Sequence, residues 1–250
     1  MTENPYITLS CATSLDGYLD RADPPRLTLS SEADFDRVDE VRAKNDAILV
    51  GARTVRRDNP RLLVRSTARQ NRREAGGLTC SPWKVTVTAS GDLNPDAAFF
   101  TAGDTTKLVY CPTPEAERIR RRVGHAAIVV GLGKDVTMTD LVADLADRGI
   151  RQLMVEGGGT IHTQFLAEDL VDELHLAVAP FFVGDPRAPR FVGNAAFRWT
   201  NDRRATLADV RQIGDIALLR YALSDRFTWH DAESHYGLIT ATNPLVMGMK

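Results

Sequence analysis

Apolar runs of strand length, most of them closed by a glycine or a polar turn and followed by a helix-length segment, recur along most of this 250-residue chain. That alternation is the strongest constraint on the fold. Strand–helix–strand repeats bury their strands in a mostly parallel sheet with helices on both faces. Strands are expected over residues 6–12, 47–50, 84–88, 107–110, 127–130, 152–155 and Glu173–Ala179. Ser31 is placed to cap a helix reaching Lys44, with Phe35, Val38 and Val41 on one face. Thr113 and Pro114 start a helix that ends near Gly124, and Thr139 caps another that stops at Gly149. A further helix is expected over 158–168, and the basic stretch 65–81 is expected to loop at the surface.

The end of the chain departs from the repeat. Two strand-like segments, 206–213 and 216–223, flank Gly214-Asp215 and predict a hairpin. The fold class expected is therefore α/β: three layers, a mostly parallel central sheet and a C-terminal antiparallel hairpin, in one domain over residues 1–224. Residues 225–250 fall outside the pattern. With a strand-like patch at 236–241, they read either as an arm on a partner subunit or as a disordered tail.

Composition removes several classes of function. A net charge of −2 does not suggest a nucleic-acid partner. The three cysteines, Cys11, Cys80 and Cys111, form no C-x-x-C pair, and the five histidines show no metal-ligand spacing. Cys11 and Cys111 are expected to be buried free thiols, which fits a reducing cytoplasm. No apolar run approaches the ~20 residues of a membrane helix. Trp199 and Trp229 are expected to be packing residues.

Three segments at expected strand ends carry candidate chemistry, since ligands of open α/β sheets gather there. Ser14-Leu15-Asp16-Gly17 is either a plain turn, with Ser14 and Asp16 bonding local backbone, or part of a site. Residues 51–62 place Thr54 and Asp58 among Arg53, Arg56, Arg57 and Arg61, a setting for phosphate or simply a solvated basic loop. In Glu156-Gly157-Gly158-Gly159-Thr160, glycines between a strand and a helix open the helix N-terminus to an anion, or form a tight turn. His162 lies just inside that helix, facing either a ligand, the core or solvent.

The three segments occur together, in order and with family-like separations. The chain resembles the reductase domain of the bacterial riboflavin-biosynthesis deaminase–reductase, which has a dihydrofolate-reductase-like fold. The matching patterns are S-L-D-G at 14–17, V-G-x-x-T-V-x-x-D-[DN]-P-R-L at 50–62 and E-G-G at 156–158. The stretches 165–174 and 179–184 also look alike, and the likeness covers about residues 6–223.

That resemblance implies NADPH as cofactor. Ala12, Thr54 and Asp58 match cofactor-contacting positions, and Gly158, Gly159, Thr160, Ile161, His162, Thr163 and Gln164 match the segment holding the diphosphate. Arg42, Leu62, Arg65 and Glu156 match substrate-side positions. Asp58 and Glu156 are the candidates for ring positioning or proton movement. The implied reaction reduces a ribosylaminopyrimidine 5′-phosphate to its ribitylamino product, with hydride delivered to C1′ of the opened sugar presented as an imine. A homodimer is implied as well. The H-x-E and P-C-x-x-C zinc patterns of the deaminase half do not occur here. Ser10 stands where family members often carry Lys or Asn, and Thr28 where a tryptophan is common. These departures leave room for two rivals: a pterin or specialised-metabolism pyrimidine reductase on the same fold, and a non-catalytic nucleotide-binding regulator.

Overall fold

The computed structural model describes residues 2–228. The nine strands are β1 (Tyr6–Ser14), β2 (Ala47–Gly51), β3 (Trp83–Val87), β4 (Lys107–Cys111), β5 (Ile128–Gly131), β6 (Gln152–Gly157), β7 (Glu173–Ala179), β8 (Thr206–Ile213) and β9 (Ile216–Ala222). They form one sheet in the order β5-β4-β3-β2-β6-β1-β7-β9-β8. Pairings from β5 across to β7 are parallel, and β9 runs antiparallel to both its neighbours. The expected three-layer sheet with a terminal hairpin is thus the one observed. Gly214, at φ 64°, takes the left-handed turn conformation that joins β8 to β9.

The helices are α1 (Glu32–Lys44), α2 (Ala52–Asp58), α3 (Thr67–Ala75), α4 (Ala98–Thr101), α5 (Thr113–Val123), α6 (Met138–Asp147) and α7 (Gly159–Ala167). Successive side chains of a strand point to opposite faces, and the core divides accordingly. Leu49, Leu108, Leu153 and Val155 pack with Leu141, Leu145 and Phe165 of α6 and α7. Their neighbours Ile48, Val109 and Met154 pack on the other face with Val55, Phe99 and Ile119 of α2, α4 and α5. Burial on both faces explains why β2 reads as an unbroken apolar run.

Several local expectations need correction. The stretch 65–81 is not simply a loop, because Ser66 accepts from the Arg69 N–H and starts α3. Helix α3 has almost no apolar stripe; polar bonds hold it. Arg69 reaches Asp36, Asp39 and Glu40 on α1, and buried Arg73 donates to the carbonyls of Ala43, Asn45 and Thr79. Within 51–62, read as either a phosphate setting or a solvated basic loop, residues 52–58 form the helix α2. The inner face of α1 is rotated from the expected one: Phe35 is 40% exposed, whereas Asp34 is fully buried beside Val38 and Val41. Thr137, not Thr139, caps α6, accepting from Asp140 N–H, and Thr113 is the first residue of α5 rather than its cap. Cys111 is buried, but Cys11 is only partly so. Trp199 packs against the core as expected; Trp229 and most of the 225–250 extension lie outside the described residues.

Topology places the site. From β2 the chain moves outward to β3, while from β6 it crosses to β7 on the other side of β1. Neighbouring strands whose connections leave in opposite directions open a crevice at their carboxyl ends.

Candidate active site

A cleft of about 1740 Å³ occupies that crevice, lined by the ends of β1, β2 and β6, the inner side of α1, and the start of α7. Its volume exceeds the roughly 300–1,000 Å³ of a pocket for one drug-sized ligand. It has room for two ligands side by side.

One wall is the start of α7. Gly158 is its N-cap and provides no side-chain cap, so the first N–H groups of the helix lack that partner. A Cβ on Gly158 would lie 3.3 Å from Thr54 Oγ1, which brings the β2–α2 junction against the same wall. At the base of the crevice Gly51 permits close packing of the two units, since a Cβ there would lie 2.8 Å from Ile161 Cγ1. Gly158, Gly159, Thr160, Ile161, Thr163 and Gln164 line the cleft, as do Ala12, Thr54 and Asp58. Among 158–164 His162 is the exception. Its side chain is fully buried, Nδ1 lies 3.2 Å from the Phe191 carbonyl, and Nε2 has no partner among the described residues. Burial lowers its pKa to about 4, so the ring is neutral and supports Gly157 from beneath rather than meeting a ligand.

The opposite wall carries Arg42 and Glu156. Arg42 donates through Nε and Nη2 to the two Glu156 carboxylate oxygens at 2.6 and 2.7 Å, and through Nη1 to the Leu63 carbonyl at 3.3 Å. This bidentate pair fixes Glu156. It also occupies the Arg42 guanidinium, so the cations open to an anion lie elsewhere. Arg53, Arg61 and Arg65 line the cleft and form no ion pair among the described residues. Arg65 is exposed, with its guanidinium 5.4 Å from the centre of the Phe35 ring. Leu62 is buried on this side at φ 50°, a conformation costly for a non-glycine residue.

At the mouth, Asp58 pairs with Arg26 at 3.3 Å and Asp20 with Arg57 at 3.1 Å. Burial raises the Asp58 carboxyl above the usual carboxylate range; Arg26 and Arg57 oppose that and Asp20 adds to it. The Ser14–Gly17 segment is a brace. Asp16 accepts from the Ser14 hydroxyl and from the Val183 and Gly184 N–H groups, tying the β1 turn to the loop after β7. Asp34 and Arg37, absent from the sequence-based candidates, also line the cleft. Their i, i+3 spacing beside Val38 and Val41 was the available signal.

Fold and cleft together define an α/β protein whose cleft lies between the start of α7 and a wall carrying the Arg42–Glu156 pair. Residues 5–219 match the family model described as the RibD C-terminal domain, and the chain belongs to that family. It is 30% identical over 223 residues to the 2,5-diamino-6-ribosylamino-4(3H)-pyrimidinone 5′-phosphate reductase of Archaeoglobus fulgidus, covering 89% of this chain and 98% of that one. Against the protein of the same name from Aquifex aeolicus the identity is 34%, over 78% of this chain and 86% of that one. Among solved structures, RibD of Acinetobacter baumannii superposes with a TM-score of 0.71 at 26% identity, over 88% of this chain and 58% of that longer one.

Proposed function

We propose that this protein is an NADPH-dependent reductase that converts a ribosylaminopyrimidinone 5′-phosphate to its ribitylamino product in riboflavin biosynthesis, as a cytoplasmic homodimer. The observation that carries the reading is the two-walled cleft, with an uncapped helix start on one side and the Arg42–Glu156 pair on the other. Relatives named for this reaction, matched over nearly their whole length, support the choice of substrate.

The residues present fit the cofactor. The N–H groups at Gly159 and Thr160, which no side chain caps among the described residues, suit a diphosphate with the helix dipole behind them. Thr54 and Ala12 bound the adjoining space, and Gly158 keeps it clear of side chain. When bound, NADPH supplies the hydride. The chain itself aligns and polarises. Glu156, immobilised by Arg42, accepts from the pyrimidine ring, and buried Leu62 packs beside it. Arg65 and Arg61 at the rim meet the substrate phosphate. Asp58, at the mouth beside Arg26, is the candidate donor of the proton that the nitrogen of the reduced C1′–N bond takes up.

The test is NADPH oxidation with the 2,5-diaminopyrimidinone and the 5-aminouracil ribosylamino phosphates, and with dihydrofolate. Oxidation with a pyrimidine phosphate is expected. Oxidation with dihydrofolate alone moves the protein to pterin reduction, and NADPH binding without turnover favours a regulator. Light scattering should give the mass of a dimer; a stable monomer contradicts that part.

A further inference from the structure

On the inner face of α1 a buried ion pair faces the floor of the cleft. Asp34 is fully buried, and its Oδ1 accepts from Arg37 Nε at 2.7 Å. Its other oxygen, Oδ2, has no hydrogen-bond partner among the described residues, and neither has Arg37 Nη1. Arg37 keeps 15% of its side chain exposed, and both residues line the cleft with Ser10. Those two unpaired atoms are closed off from the cleft; what a ligand there can meet is the exposed part of the Arg37 side chain, which the buried Asp34 carboxylate holds in place.

Strand register shows what lies beneath. Leu9 pairs with Val155 of β6, and Ser10 pairs with His175 of β7. Glu156, Ser10 and His175 therefore form a row across three neighbouring strands on the α1 side of the sheet. Arg42 pairs with Glu156, and Arg37, five residues earlier on the same helix, lines the cleft together with Ser10. Its charge is felt there: burial raises the Cys11 thiol and Arg37 pulls it back, and Arg37 is among the cations that lower His175, after burial.

The chemistry of the pair selects the kind of group it would meet. Arg37 is already neutralised by Asp34, so it is poorly suited to a phosphate dianion, for which Arg53, Arg61 and Arg65, without an ion pair among the described residues, are available. A neutral acceptor such as a carbonyl oxygen suits it. Beside it, Glu156 is an acceptor. Donor next to acceptor is the complement of a lactam edge, a ring N–H adjacent to a ring C=O.

We propose that Arg37, with Ser10, donates to the ring carbonyl of the substrate pyrimidinone while Glu156 accepts from the neighbouring ring N–H. Asp34 is the positioning residue that fixes Arg37. This rests on the functional reading above and adds to it the residues that recognise the ring.

The test compares wild type with Arg37→Met, Arg37→Lys, Asp34→Asn and the Asp34→Asn/Arg37→Met double variant. Melting curves confirm that each is folded. Loss of a charge-assisted bond should raise the KM for the pyrimidinone phosphate roughly 10- to 100-fold in Arg37→Met, with NADPH affinity within about twofold of wild type. Arg37→Lys should recover part of the loss. Asp34→Asn should raise KM by less, and should add nothing in the Arg37→Met background. A second probe, 2,5,6-triamino-4(3H)-pyrimidinone, lacks ribose and phosphate; its binding to the NADP⁺-loaded protein is read by ligand-observed NMR. It should bind wild type and be lost in Arg37→Met. If wild type turns over no ribosylaminopyrimidine phosphate, the functional reading fails and the ring probe alone decides the role of Arg37. Unchanged KM in Arg37→Met overturns the proposal. Without turnover, so does ring binding that is absent from wild type or equal in the two proteins. Should Arg37→Met fail to fold, unchanged KM or ring binding in both Arg37→Lys and Asp34→Asn overturns it.

Discussion

Replacing Arg42 with methionine keeps much of the apolar stem but removes both bonds to Glu156. The two side chains are each 14% exposed, and the two bonds measure 2.6 and 2.7 Å. Breaking a buried ion pair by removing one partner costs roughly 3–5 kcal/mol, most of it the penalty of the charge left behind. Water entering from the cleft relieves part of that penalty, which places the expectation near the lower end, about 3 kcal/mol. For a domain of this size that lowers the melting temperature by roughly 6–12 °C. Glu156→Gln in the Arg42→Met background removes the stranded charge, so the double variant should regain at least about a third of the loss, on the order of 1 kcal/mol. Urea denaturation of the wild type, both single variants and the double variant measures all four corners. An Arg42→Met protein within about 1 kcal/mol of wild type, or a double variant less stable than that single one, would refute the argument that the pair is a mutually dependent buried unit.

Gly158→Val places branched carbons between the α7 start and Thr54, and NADPH affinity measured by fluorescence titration should fall at least about tenfold; retained affinity would remove the helix start from the cofactor site. Arg65→Ala should raise KM for the phosphorylated substrate by about tenfold with kcat little changed, and unchanged kinetics would take Arg65 out of the phosphate site. His162 titrates near 4 in the folded protein against about 6.5 when unfolded, so the unfolded chain binds its proton first as pH falls. The stability this residue contributes is complete above pH ~6.5 and is lost towards pH ~4, by at most about 1.2 kcal/mol per pH unit. Urea melts across that range should show a shallower slope for His162→Gln, and an identical slope would contradict the neutral buried ring.

The sheet was legible because its strands are buried on both faces and announce themselves as apolar runs, as in Ala47–Gly51. Helix α3 was not, because its side chains are charged or small and its stability comes from Arg69 and Arg73 reaching α1 and its C-terminal end. No local pattern records such bonds. The glycines before α7 could be read as an opening for an anion, but the inward turn of His162 depends on Phe191, 29 residues later. Glu156 and Arg42 each stood out as a candidate. Their direct pairing across 114 residues, which leaves Arg53, Arg61 and Arg65 as cleft cations without an ion pair among the described residues, is a product of the fold. Placing Phe35 on the inner face of α1 was an error of one position along the helix, and it hid Asp34 because apolar periodicity discounts a buried carboxylate.

In the proposed function one cleft holds the dinucleotide against α7 and the pyrimidine against Arg42 and Glu156 at the same time. A crystal structure with NADP⁺ and the ribitylaminopyrimidinone phosphate product tests it most directly. The diphosphate is expected within hydrogen-bond distance of the Gly159 and Thr160 N–H groups, and the pyrimidine ring on Glu156. A dinucleotide bound away from α7, or a pyrimidine ring that leaves Glu156 untouched, would contradict it.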